Sequence, residues 1–219
     1  MKTTLLFLRH GKTLYTNKFP DLTDEGKKEA GRAAEEVREV ACSKNIRIIS
    51  SPAERARGTA HIIAGRLEYR GGIEEQAAIR CMDSLDETAA KSLWSSFPSA
   101  RAVDHAYVND PQFELGKIVE KRSVIQFRFF AYLSKLFEDF LAGKLPDVVI
   151  IVSHYEVLWN LTTVFDFKEP LIHGEVIKLE LTLFDGKGNV VEVNGVFRKH
   201  NVLFYCELPE KLFAKQFSN

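Results

Sequence analysis

The chain is short of the features that staple a fold or anchor it. Its three cysteines, Cys42, Cys81 and Cys206, stand far apart. No pair has metal-ligand spacing, and an odd count fits a reducing cytoplasm better than a disulfide framework. No stretch approaches the roughly 18 apolar residues of a membrane span. Met1-Lys2 and Thr3–Leu8 start like a secretion signal, but Arg9 and His10 break the apolar run too early for one. An excess of one charge is missing too: 30 basic residues cancel 30 acidic ones. That balance argues against a broad nucleic-acid or anionic-membrane surface and leaves room for a local basic pocket. Internal repeats, low-complexity tracts and linkers are absent. The expectation is one cytoplasmic domain over residues 1–219 without nucleic-acid or membrane partners.

What is present is a globular core in alternating elements. Hydrophobic residues make up 45% of the chain, which excludes disorder, and 219 residues suffice to bury a substantial core. Thr3–Leu8, Ile46–Ser50 and Asp147–Val152 are short apolar runs suited to strands covered on both faces. A helix is predicted from about Thr23, with Asp24 and Glu25 in its first turn and Ala30, Ala33, Ala34, Val37, Val40 and Ala41 facing inward. Ser51-Pro52-Ala53-Glu54 reads as a capping box that opens a second helix, with Ala56, Ala60, Ile63, Ala64 and Leu67 behind it. A phenylalanine-rich helix is predicted over about Leu115–Leu141, its Phe127, Phe130, Phe137 and Phe140 read as core. Another helix follows from Glu156 to Phe165, and Val176–Phe184 and Val190–Phe197 flank a turn at 185–189. Residues 69–113 show few regular patterns and read as an irregular, cap-like insertion. Strand–helix repeats followed by a hairpin give an α/β fold: a mostly parallel central sheet with helices on both faces.

Three short stretches carry the chemistry. Leu8-Arg9-His10-Gly11 ends the first strand, with Lys12, Thr13 and Asn17 after it. Ser50-Ser51-Pro52-Ala53-Glu54-Arg55-Ala56 ends the second strand and puts Arg55 in the first turn of a helix, where backbone N–H groups favour an anion. Val152-Ser153-His154 ends the third. The carboxyl edge of an open α/β sheet is where ligands bind, and arginine forks with imidazoles suit a phosphate. Gly11-Lys12-Thr13 is not a nucleotide-binding loop, because Leu6 stands where that motif needs a glycine. His61, His105, His173 and His200 lack such contexts and read as ordinary, with His173 in a turn before a strand.

In type and chain order these motifs, with Leu22-Thr23-Asp24-Glu25-Gly26, resemble the histidine phosphatase superfamily, the phosphoglycerate mutase-like fold. The resemblance covers most of residues 1–180 and implies a three-layer sandwich. It implies that His10 is a nucleophile attacking phosphorus, that Arg9 and Arg55 clamp phosphate oxygens, and that His154 adds a donor. Thr13 and Asn17 fall where the family's loop approaches phosphate or substrate. A mid-chain carboxylate serves as general acid in the family. Glu87, in Leu85-Asp86-Glu87, best fits that context, with Asp86 and Asp83 as competitors.

Phosphate monoester hydrolysis demands rate enhancements approaching ~10²¹-fold, of which one general acid supplies about 10²–10⁴-fold. Most of the work therefore falls to a nucleophile and preorganised positive charge, for which two arginines and two histidines suffice without metal or cofactor. The chain also departs from the family. The loop before Leu22 lacks Arg-x-Gln-Gly, and no Gly-x-Trp-x-Gly surrounds Trp94. Tyr155 replaces the glycine common after the second histidine and reshapes the pocket floor. The expected substrate is a phosphorylated small molecule or phosphoprotein. A mutase, or a weakly active phosphate-binding module, is the alternative. Oligomeric state is open.

Overall fold

A computed structural model describes residues 1–14, 21–111, 113, 117–167, 169–184 and 190–206. Asn17 and the 185–189 turn lie outside the described residues.

The centre is a seven-stranded mixed sheet. β1 (Lys2–Arg9), β2 (Ile46–Ser50), β3 (Ile73–Glu75), β4 (Val148–Ser153), β5 (Val176–Phe184), β6 (Val190–Phe197) and β7 (His200–Cys206) lie in the order β3-β2-β4-β1-β5-β6-β7. The four strands β3, β2, β4 and β1 are parallel, and β5–β7 continue the sheet as an antiparallel meander. The parallel core thus matches the sequence reading, whereas β3 and β7 come from stretches in which no strand is apparent.

Alternation along each central strand feeds two cores, one per face. Leu6 and Leu8 of β1 join Ile48, Ile150 and Val152 beneath α1 (Asp24–Ala41) and α2 (Glu54–Arg66). Leu5 and Phe7 join Ile49, Val149 and Ile151 on the opposite face. There the cover includes α5 (Arg122–Leu141) and α6 (Tyr155–Thr162). α3 (Glu87–Ser95) and α4 (Ala100–Asn109) pack Ala90 and Tyr107 into the same cluster. The described part of residues 69–113, which looks irregular in sequence, therefore includes a strand, a 3-10 turn at Ala77–Ile79 and the helices α3 and α4. Asp86 and Ser99 cap those helices through their side chains, accepting from Ala89 N and Ala102 N.

Several boundaries differ from the sequence pattern for identifiable reasons. α1 begins as expected, with Thr23 Oγ1 accepting from Gly26 N at 3.0 Å. α2 begins only at Glu54, and Ala53, not Ser51, is its cap. The Ser51 hydroxyl is engaged by His154 Nε2 at 2.7 Å, and Glu54 pairs with Arg57 instead of closing a box. α5 starts at Arg122 rather than near residue 115. Just before it, Val119 bridges to Ser84 and Glu120 N donates to Asp83 O, which holds the chain extended. Phe130, Phe137 and Phe140 are core, but Phe127 is 76% exposed. The helix after β4 runs Tyr155–Thr162 and closes in a 3-10 turn, Thr163–Phe165.

Candidate active site

Parallel register brings the three motifs to one edge. Arg9 lies opposite Ser153, and Ser50 opposite Val152. Each strand then hands over to the next residue through its neighbour's backbone. His10 N donates to Ser153 O at 3.0 Å, and Ser51 N to Val152 O at 2.9 Å. His10, Ser51 and His154 thus sit side by side beyond the carboxyl ends of β1, β2 and β4, all buried. The His10 and His154 rings meet edge to face with centroids 5.0 Å apart.

His10 is set by the loop that follows it. A Cβ on Gly11 would lie 2.2 Å from the Gly26 carbonyl oxygen, and one on Gly26 would lie 2.1 Å from that of Lys12. Two glycines are thus needed for the loop to lie against the start of α1. Gly11 N donates to Thr59 Oγ1 at 3.0 Å, and the Thr59 hydroxyl donates to Arg55 O at 2.8 Å. With Gly11 so fixed, its carbonyl stands 2.7 Å from His10 Nδ1. A carbonyl only accepts, so Nδ1 carries the proton and Nε2 presents its lone pair. Arg55 Nε donates to that nitrogen at 3.1 Å. Burial, then His154, Arg55 and Arg9, hold the His10 pKa well below the usual imidazole range, against the Gly11 hydrogen bond. The ring is neutral at pH 7.

Arg9 is almost wholly buried. Its Nη1 donates to Asp104 Oδ2 at 2.6 Å and to the Leu171 carbonyl, its Nε is buried without a partner, and its Cζ lies 5.3 Å from the centre of the Tyr155 ring. Burial pushes the Asp104 carboxyl up, although Arg9 pulls it down. His154 has no exposed surface. Burial first, then Arg55, Arg9 and Arg128, hold its pKa well below the usual range. Its Nδ1 has no partner, and neither do the buried Thr13 Oγ1, Tyr155 hydroxyl and His173 Nε2. The His173 ring lies 5.6 Å from that of His10, and burial with Arg9, Lys12 and Arg55 pushes its pKa down to about 3. Arg9, Arg55, His154 and His173 therefore gather around His10, and several buried polar atoms of this region are left unsatisfied. Buried polar groups without partners are costly, and an anion accepting several hydrogen bonds is the group that satisfies such a set.

Of the residues singled out in sequence, Arg9, His10, Arg55 and His154 come together. Tyr155 packs against Arg9, and Thr13 is buried in the loop after β1. Glu87 is exposed at the first position of α3. Asp86 caps that helix, and Asp83 is tied to Arg80 on the surface. Asp104, Thr59 and Ser51 were not apparent as site residues. Only Ser51 sits in a motif, and there its hydroxyl looks like a helix cap.

The sequence profile of the histidine phosphatase superfamily (branch 1) matches residues 5–182. The chain belongs to that superfamily. No curated protein matches the sequence. Among solved structures, a mycobacterial glucosyl-3-phosphoglycerate phosphatase superposes with a TM-score of 0.60 at 17% identity, covering 90% of this chain and 99% of that one. A phosphoglycerate mutase from Bacillus anthracis gives 0.58 at 16% identity, covering 98% and 97%. A phosphoserine phosphatase from Entamoeba histolytica gives 0.52 at 16%, covering 92% and 94%. At such identities the likeness is one of fold, and this histidine phosphatase fold is the phosphoglycerate mutase-like one.

Proposed function

We propose that the chain is a metal-independent phosphomonoesterase that works through a phosphohistidine at His10, on a small phosphorylated metabolite or a phosphoprotein. The observation that carries this reading is the tautomer of His10: Nδ1–H is committed to the Gly11 carbonyl and the Nε2 lone pair faces Arg55. Arg55 fills the place of substrate until a phosphate takes its donors. The phosphoryl oxygens then lie among Arg9, Arg55, His154 and His173, with Thr13 at the rim. Nε2 attacks phosphorus and the P–O ester bond breaks. A carboxylic acid gives its proton to the departing oxygen. Water then loses a proton to that carboxylate and attacks phosphorus, and the P–N bond breaks to release phosphate.

For the acid, Asp104 fits better than Glu87. It is nearly buried, it is bonded to a phosphate-clamping arginine, and its carboxyl is pushed toward the protonated form, the condition a general acid needs. The fold is shared with phosphatases and with a mutase alike and does not choose between hydrolase and mutase.

The test is phosphate release from p-nitrophenyl phosphate and a panel of sugar, glycerate and amino-acid phosphates, in EDTA. Wild-type release is expected to survive chelation. His10→Ala is expected to lose it by at least about 10³-fold, as removal of a nucleophile does, with its melting temperature checked in parallel. Release that persists in His10→Ala would sink the role of His10. A folded wild type that binds phosphate and releases none would make the chain a binding module.

A further inference from the structure

Beside this site lies a second set of donors that shares only His154 with it. Cys81, His154 and Glu156 each offer a ligand atom, and the three atoms lie within 4.8 Å of one another. Sequence spacing hides the cluster, because two distant segments build it. The segment before Cys81 is fixed from both sides. Ser153 Oγ donates to Ile79 O at 2.8 Å, while Arg128 donates to Ala78 O at 2.7 Å and to Cys81 O at 3.1 Å. Met82 N donates to Glu156 Oε1 at 3.1 Å, which orients that carboxylate. His154 also carries the sign that a ligand is missing: its ring is fully buried and its Nδ1 has no partner, an atom that either a phosphate oxygen or a cation would satisfy.

We propose that Cys81, His154 and Glu156 bind a thiophilic divalent cation of the zinc class, and that this ion competes with phosphate for His154. The second half rests on the reading of His154 as a phosphate donor. One thiolate, one imidazole and one carboxylate, with a fourth position open, is a zinc donor set. Bonds of about 2.0–2.3 Å need the donors to draw together by roughly 1 Å, within reach of side-chain rotation. Two negative ligands offset the ion against Arg9, Arg55 and Arg128, and the thiol proton leaves to water as the metal arrives.

Ser51 makes the exchange possible. Its hydroxyl lies 2.7 Å from His154 Nε2 and can donate or accept there. When Ser51 donates to Nε2, Nδ1 carries the proton and can serve a phosphate oxygen. When Ser51 accepts from Nε2–H, Nδ1 presents a lone pair to a cation, and Ser51 is the outer partner that metal-bound histidines keep. A change of tautomer, in which the Nδ1 proton leaves to water and Nε2 gains a proton through the Ser51 hydroxyl as that hydroxyl is reprotonated from water, thus converts an anion donor into a cation ligand, and zinc held there shuts the phosphate site.

The experiment uses the full chain stripped with EDTA and then dialysed. Zinc uptake is followed by calorimetry, and cobalt uptake by thiolate-to-metal charge-transfer absorption. One ion per chain is expected. Cys81→Ser and Glu156→Gln should each weaken uptake at least about tenfold, and the cobalt band should vanish in Cys81→Ser and persist in Cys42→Ser. Inorganic phosphate should weaken zinc uptake in wild type. Uptake that both variants leave unchanged, a cobalt band that outlives Cys81, or zinc binding indifferent to phosphate would overturn the proposal. None of these readouts needs turnover, so failure here is distinguishable from failure of the phosphatase reading.

Discussion

At the scale of single residues, the site is an assembly of groups each denied its ordinary protonation or partner. Asp104, proposed as the acid, yields a direct comparison with Glu87. Asp104→Asn is expected to lower kcat for a substrate with a poor leaving group by about 10²–10⁴-fold, and by much less for p-nitrophenyl phosphate, whose leaving oxygen needs little help. Glu87→Gln should leave both rates near wild type; equal losses in the two variants would return the acid to Glu87. The three imidazoles make a second prediction. Below about pH 6.5 an unfolded histidine takes up a proton, while folded His10, His154 and His173 resist doing so, His173 down to about 3. The unfolded state therefore binds more protons in that window, and stability falls as pH falls. Each group contributes up to about 1.4 kcal/mol per pH unit. Urea midpoints should drop steadily from pH 7 to pH 5, and a flat profile would mean that these rings titrate normally.

At the scale of elements, the loop after β1 is the piece on which the proposed nucleophile depends. The close approach of Gly11 to Gly26 lets one loop fix the His10 tautomer and rest on the start of α1. Gly11→Ala drives a methyl into the Gly26 carbonyl, and the expected cost is about 1–3 kcal/mol. It should also bring a larger loss in kcat than in phosphate affinity, because the Gly11 carbonyl no longer holds Nδ1. A variant with full activity and an unchanged melting curve would show that the backbone yields freely there. The elements that were legible in sequence are those that obey one periodicity and end in local chemistry. β1, β2 and β4 announce themselves as apolar runs, and α1 by its alanine stripe and threonine cap. The boundaries that differ do so where a distant partner takes a group that local rules would have used. His154 claims the Ser51 hydroxyl, and Ser84 claims the extended backbone at Val119. Residues 69–113 were opaque because β3 is only three residues long and α3 and α4 carry little buried surface of their own. Asp104 was hidden for the same reason, since nothing near it in sequence tells of its bond to Arg9.

At the scale of the whole molecule, the family and the edge where the motifs meet could be read because three motifs sit at the ends of three strands, and parallel register does the rest. Which strands are neighbours is a tertiary fact. The antiparallel half, β5–β7, contributes none of the catalytic candidates, although the loop before β5 supplies His173 and its first turn supplies the carbonyl that Arg9 meets. The order β2-β4-β1 has a consequence for biosynthesis. β1 and β2 do not touch; β4, which emerges much later, fits between them. At about 5–20 residues per second, a ribosome leaves these two apolar strands exposed for several seconds before the strand that separates and covers their edges is made. A chain halted at residue 146 is expected to aggregate or hold a chaperone, and one extended through β5 to become protease-resistant, in a staged-truncation translation assay. Survival of the nascent chain is then a hurdle of its own, passed before the stability of the finished fold comes into play.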